Sequence, residues 1–95
     1  MTVYVVAQAR GVDKDALTQY REHAPGALKK HGGALVKSSA NLITLEGAEN
    51  ETDMLVLLSF PSEEAAQNWR YDEELSHVHD LRMKAANWSI QLLGA

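Results

Sequence analysis

Along this chain, segments with the residue pattern of a strand alternate with segments whose apolar residues recur at the spacing of a helix. The order of these segments predicts a βαββαβ fold. Runs rich in β-branched and apolar residues, typical of strands, cover residues 3–9, 54–60 and 88–93. Residues 34–37 and 42–46 predict one further long strand that is interrupted near residues 38–41. The polar residues 47–53 are expected to form the turn that leads into the next strand.

Two helical segments separate these strands. Asp13 can cap the first helix, whose predicted buried face consists of Leu17, Tyr20, Ala24, Ala27 and His31. Pro25 predicts a kink or a second short helix that begins there, and Gly32 is the expected left-handed residue at the helix end. Ser62 can cap the second segment, which is expected to break near residues 70–72 and to continue as a helix over residues 72–86.

Arg82 lies inside the apolar stripe of this last helix. The stripe follows the i, i+3, i+4, i+7 spacing of a buried helix face and consists of Leu75, Val78, Leu81, Ala85 and Ala86. A guanidinium at that position either reaches solvent along its stem or meets an acidic partner, because a buried unpaired charge costs several kcal/mol. The partner is either a protein carboxylate in a structural ion pair, from Glu46 or from across the dimer, or a bound ligand, and the sequence leaves these open.

The strand at residues 54–58 is apolar at every position, so both of its faces should be buried. Right-handed crossovers place both helical segments on one face of a four-stranded antiparallel sheet, which leaves the other face without cover from this chain. We therefore expect a two-fold homodimer that packs sheet on sheet, with a cavity between the sheet and the helices or at the mouth of the barrel.

Composition narrows the function classes. The 95 residues suit a single domain over 1–95. Nine basic against thirteen acidic residues give a net charge of −4, which argues against nucleic-acid and anionic-membrane partners.

Because the chain has no cysteine and no histidine pair at ligand spacing, we predict no metal and no cofactor. His77 and His79, two residues apart, diverge by about 200° on a helix. The N-terminus lacks a basic signal-peptide region, so the expected compartment is the cytoplasm.

Several short motifs together resemble the domain-of-unknown-function family thirteen-thirty, over nearly the whole length. They are Tyr20, Gly32-Gly33, Leu45-Glu46-Gly47, Phe60-Pro61-Ser62 with Glu64-Ala65-Ala66, Trp69, and Arg82 with Ala85-Ala86. The resemblance implies a ferredoxin-like α+β chain of the dimeric α/β-barrel superfamily, a family without an agreed activity. The chain departs from the pattern at Arg70, where an aromatic is usual, and at Leu75, which cannot supply the hydroxyl of the family tyrosine.

Five residues are candidates for a site. Arg82, Tyr20 and Trp69 are predicted to bind a small, partly apolar anion, and His23 and Glu46 are the tentative proton-moving residues. Three function classes follow: an oxygenase or isomerase without a cofactor, a binding or sensing module without turnover, and a haem-handling protein. The haem class uses an Asn, Trp and His set in a related branch of the superfamily, for which Gln8, Trp69 and His79 occupy comparable elements.

Overall fold

The structure is a computed structural model that describes residues 1–47 and 52–94. Its element order is the predicted one, with the last helical segment divided by a short 3₁₀ turn. The elements are β1 (Val3–Arg10), α1 (Lys14–Lys30), β2 (Ala34–Ser39), β3 (Met54–Phe60), α2 (Glu63–Tyr71), the 3₁₀ turn (Glu73–Leu75), α3 (Ser76–Ala85) and β4 (Asn87–Leu93).

The four strands form one antiparallel sheet in the order β2-β3-β1-β4, which confirms the ferredoxin-like α+β class. In the central pair, Val5 lies opposite Leu58 and Ala7 opposite Val56. These residues face the helices, because side chains alternate between the two faces of a sheet. The helix side of the sheet therefore carries the core, in which Phe60 is the most completely buried large side chain.

The second strand is shorter than predicted. β2 ends at Ser39, its bulge lies between Leu35 and Lys37, and residues 42–46 form no strand. The reason is the lack of a partner: Ser39 pairs with Leu55, next to the first residue of β3, so the chain beyond it has no strand to pair with among the described residues. Most of the turn expected at residues 47–53 lies outside the described residues.

The helix ends follow the predicted capping chemistry. The Asp13 carboxylate accepts hydrogen bonds from the amides of Asp15 and Ala16, and the Ser62 hydroxyl accepts one from Ala65. Gly32 ends α1 with φ 71°, as expected.

Pro25 does not divide α1 in two. The prediction of a second short helix at Pro25 was wrong, since α1 continues to Lys30. Pro25 lies on the exposed side, whereas Leu17 before it and Leu28 after it are buried on the same side of the sheet. Burial of both leucines stabilises one continuous helix and offsets the loss of the hydrogen bond that Pro25 cannot donate.

Among the described residues, no helix covers the outer face of the sheet. Its apolar side chains alternate with the core-facing ones, and they are Tyr4, Val6, Leu55, Leu57 and Leu93. None of the helices in the described part of the chain is long and apolar enough to cross a bilayer.

Candidate functional site: a buried arginine at an apolar cavity

A cavity of about 90 Å³ lies between α1 and the helix-facing side of the sheet. We call it the inner cavity. Three of the five predicted site residues line it, each from a different helix: Tyr20 from α1, Trp69 from α2 and Arg82 from α3. The remainder of its wall is mainly apolar and includes Leu17, Ala24, Leu28, Met54, Val56, Leu58, Trp88 and Ile90. The volume is several times the space that one buried water needs.

Arg82 is buried at this cavity, with 3% of its surface exposed, so its guanidinium does not take the route to solvent that the sequence left open. Its Nη1 lies 2.5 Å from Nδ1 of His79, one helical turn earlier on α3. Nε2 of His79 lies 2.9 Å from the main-chain carbonyl of Trp69. Because that carbonyl can only accept, Nε2 carries the hydrogen and Nδ1 accepts from Arg82. The imidazole is thus held as the neutral tautomer between α2 and the guanidinium.

The guanidinium is only partly satisfied by the protein. The hydrogen on Arg82 Nε is buried and has no acceptor among the described residues. Burial lowers the pKa of Arg82, Tyr20 raises it through its charge and a hydrogen bond, and the positive charge of Arg70 lowers it further. No carboxylate of the described residues forms an ion pair with Arg82. Arginine nevertheless stays protonated in proteins, so the site holds a cation without a counter-ion from the described chain.

Aromatic rings surround this cation. The Trp69 ring lies under the guanidinium at 5.5 Å from its carbon, within cation–π range, and the edge of His79 meets the same ring. Trp88 donates its indole hydrogen to the Arg82 carbonyl at 2.8 Å and packs at a tilt against Tyr20. These contacts fix the position of Arg82 without neutralising its charge.

The two predicted proton-moving residues lie elsewhere. His23 is exposed on α1, where its ring meets that of His77, and it does not line the inner cavity. Glu46 is exposed in the segment after β2, next to Leu45, which is 94% exposed. The structure therefore brings together Arg82, Tyr20 and Trp69 but neither of these two, and the ion pair of Arg82 with Glu46 does not form.

Three residues of the site were not assigned to it from the sequence. His79 was considered only for haem, although its i, i+3 spacing from Arg82 places both side chains on one helix face. Trp88 follows from the alternation of β4, in which Trp88, Ile90 and Leu92 face the helices. Arg70 was noted only as a departure from the family pattern, and nothing in its helix predicted its approach to Arg82.

The haem set does not assemble. Gln8 lies on the outer face of the sheet, where it pairs with Leu55, whereas Trp69 and His79 lie on the helix side. Both ring nitrogens of His79 are already hydrogen-bonded, so neither is available to ligate iron without breaking a buried contact.

Fold and site together define a ferredoxin-like α+β protein with an arginine-based pocket under its first helix. The chain belongs to the DUF1330 family, a domain of unknown function, whose model matches residues 2–95. The resemblance identified from the sequence is thereby confirmed. Among curated proteins, none matches this chain.

Solved structures share the fold at low sequence identity. A protein of unknown function from Rhodopseudomonas palustris, RPA0582, has a TM-score of 0.76 at 16% identity, over 99% of this chain and 82% of that one. A dimeric ferredoxin-like protein of unknown function from Jannaschia sp. CCS1 gives 0.71 at 9% identity over all of both chains. SnoaB, a cofactor-independent oxygenase from Streptomyces nogalater, gives 0.65 at 7% identity, over 99% of this chain and 91% of that one.

Proposed function

We propose that this protein binds a small, partly apolar anion in the inner cavity, with Arg82 as the residue that recognises the negative charge. The observation that carries the proposal is a guanidinium with 3% of its surface exposed, without a carboxylate partner among the described residues. An uncompensated buried charge costs several kcal/mol, so a fold that retains one gains most when an anion fills the site. The walls of Tyr20, Trp69 and Trp88 suit a flat or aromatic ligand body.

The test measures thermal stabilisation by benzoate, a small aromatic carboxylate. A ligand at about 100 times its Kd adds about 2.7 kcal/mol, which raises the Tm of a domain this small by many degrees. We expect this rise in the wild type, in Lys84→Met as the matched control on the exposed side of α3, and not in Arg82→Met. Equal stabilisation of Arg82→Met and the wild type would contradict the proposal.

The stability of Arg82→Met separates a ligand anchor from a structural ion pair. Methionine keeps most of the apolar stem, and removing the desolvated charge offsets the lost bond to His79, so we expect a change within about 1 kcal/mol. A loss of about 3 to 5 kcal/mol that Glu46→Gln reverses would instead make Arg82 part of an ion pair.

We also propose that the chain is a homodimer through the outer face of its sheet. Across this face Val6 lies opposite Leu57 and Tyr4 opposite Leu93, so the apolar side chains are contiguous. Tyr4 is 42% exposed and Leu93 53%. The Jannaschia relative, described as dimeric, supports the assembly at the level of the fold.

Light scattering with size exclusion tests the homodimer. It should give twice the chain mass of 10.5 kDa for the wild type and for Gln67→Glu, an exposed control on α2. Leu57→Glu should give the monomer mass, because it places a charge in the middle of the buried face. A monomeric wild type would overturn the assembly.

A second candidate function is oxygenation or isomerisation of the bound anion without a cofactor. One observation favours it: Tyr20 brings a hydroxyl to the cavity wall, beside Arg82, where it can exchange a proton with a ligand. SnoaB, of the same fold, is such an oxygenase. Consumption of a bound ligand by the wild type and not by Tyr20→Phe would support catalysis, and stable binding without turnover would leave the binding function alone. His23 and Glu46 have no part in this proposal.

A further inference from the structure

A second and larger cleft reaches Arg82 from the other side. It has a volume of about 460 Å³ and lies between β4 and the ends of α2 and α3, and we call it the outer cleft. Arg70, Asn87 and Met83 line it together with Arg82, Trp88 and Ile90, the three residues that it shares with the inner cavity. Among the described strands, β4 lies at the edge of the sheet. Arg82 therefore contributes to the walls of both the inner cavity and the outer cleft.

Two arginines, Arg70 and Arg82, line the outer cleft. Arg70 is half-buried, and its charge acts on both Arg82 and His79. None of the described residues that line the cleft is an aspartate or glutamate. Lys30 provides the contrast within the same chain, because its Nζ lies 2.7 Å from Asp72 and 2.9 Å from Glu74.

We propose that the outer cleft is an anion site in which Arg70 and Arg82 together bind a small dianion. The Nε hydrogen of Arg82 is buried and has no acceptor among the described residues, so the protein does not satisfy this guanidinium fully. Two guanidinia balance two negative charges, and their planar forks match the oxygens of carboxylate and phosphate groups. Asn87, exposed at the start of β4, adds an amide to the same cleft. This inference deepens the proposed function and rests on it in one respect, the use of Arg82.

The experiment compares dianions with a monoanion by calorimetric titration of the full chain at one fixed ionic strength. The probes are malonate and inorganic phosphate for the outer cleft and benzoate for the inner cavity. Because a hydrogen bond to a charged group contributes about 1.5–3 kcal/mol, Arg70→Gln should weaken dianion binding about tenfold or more. Benzoate affinity should change by less than about threefold, since Arg70 does not line the inner cavity. Lys84→Gln, exposed on α3, controls for the loss of one charge.

A second variant keeps the test independent of the packing around Arg70. Asn87→Asp changes an exposed residue and places a carboxylate in the cleft, so it should also weaken dianion binding and leave benzoate binding in place. Dianion affinities of Arg70→Gln and Asn87→Asp equal to that of Lys84→Gln would overturn the dianion site while the proposed function stands. Dianion binding without benzoate binding would overturn the inner-cavity function and support the outer cleft, and no saturable binding of any probe would overturn both.

Discussion

The guanidinium of Arg82 and the imidazole of His79 lie one turn apart on α3 and share a buried hydrogen bond, in which Nη1 donates to Nδ1. The other ring nitrogen of His79 donates to the Trp69 carbonyl at the end of α2. His79 thus connects the end of α2 to the guanidinium on α3 and fixes their relative position. It acts as a positioning residue, and its protonation state decides whether Nη1 of Arg82 has this acceptor.

His79→Leu should destabilise the protein by about 2–4 kcal/mol, because it leaves a buried donor on Arg82 and a buried carbonyl on Trp69 without partners. His79→Asn keeps an acceptor near the position of Nδ1 and should lose less. Urea unfolding measures both, with His77→Leu as the exposed control, for which we expect a change within about 0.5 kcal/mol. Equal losses in His79→Leu and His79→Asn would mean that packing, and not the hydrogen bond, explains the role of His79.

The stability of the folded protein should decrease as the pH is lowered below about 6.5, the ordinary pKa of histidine, because of His79. Burial lowers the pKa of His79, the Trp69 carbonyl and Asp72 raise it in part, and the charges of Arg82 and Arg70 lower it further. With a lowered pKa in the folded state, the unfolded chain binds the proton first, so stability is fully present above pH 6.5 and is lost as pH falls through the folded pKa. Unfolding curves of the wild type and His79→Asn between pH 8 and pH 5 check this, and identical pH dependence of the two would contradict it.

Acid should also act through Asp72, which joins the end of α1 to the 3₁₀ turn. Its carboxylate accepts hydrogen bonds from Lys30 and His31, which lower the pKa of Asp72 to about 2. Its contribution to stability is therefore present above its ordinary pKa of 3.8 and disappears as pH falls from there to about 2. Asp72→Asn should lack this part of the acid transition, whereas Asp80→Asn, an exposed carboxylate on α3, should retain it.

Replacing glycine by alanine should change the free energy of unfolding in opposite directions at Gly33 and at Gly26. A Cβ at Gly33 would lie 2.6 Å from the ring of Phe60, which is 1% exposed, so Gly33→Ala should cost about 1–3 kcal/mol. A Cβ at Gly26, inside α1, meets no atom within 4 Å, so Gly26→Ala should stabilise by about 0.5–1 kcal/mol. Thermal unfolding of the two variants measures both, and a stabilised Gly33→Ala would mean that Phe60 can move away from the turn.

By itself, the sequence determined the features that depend on local chemistry and periodicity. The order of elements, the caps at Asp13 and Ser62, the left-handed Gly32 and the place of Arg82 on the apolar face of its helix follow from spacing along the chain, because each depends on neighbours within one or two turns. The family followed from motifs of the same kind.

Only the tertiary structure decided what lies across space. The short β2 depends on where β3 begins, and the continuous α1 depends on burial on both sides of Pro25. The surroundings of Arg82 were also beyond the sequence, because the Trp69 ring and Arg70 reach it from another helix, while Glu46 lies on an exposed segment. Periodicity fixes the face on which a side chain lies, and the packing of elements against one another fixes what that face meets.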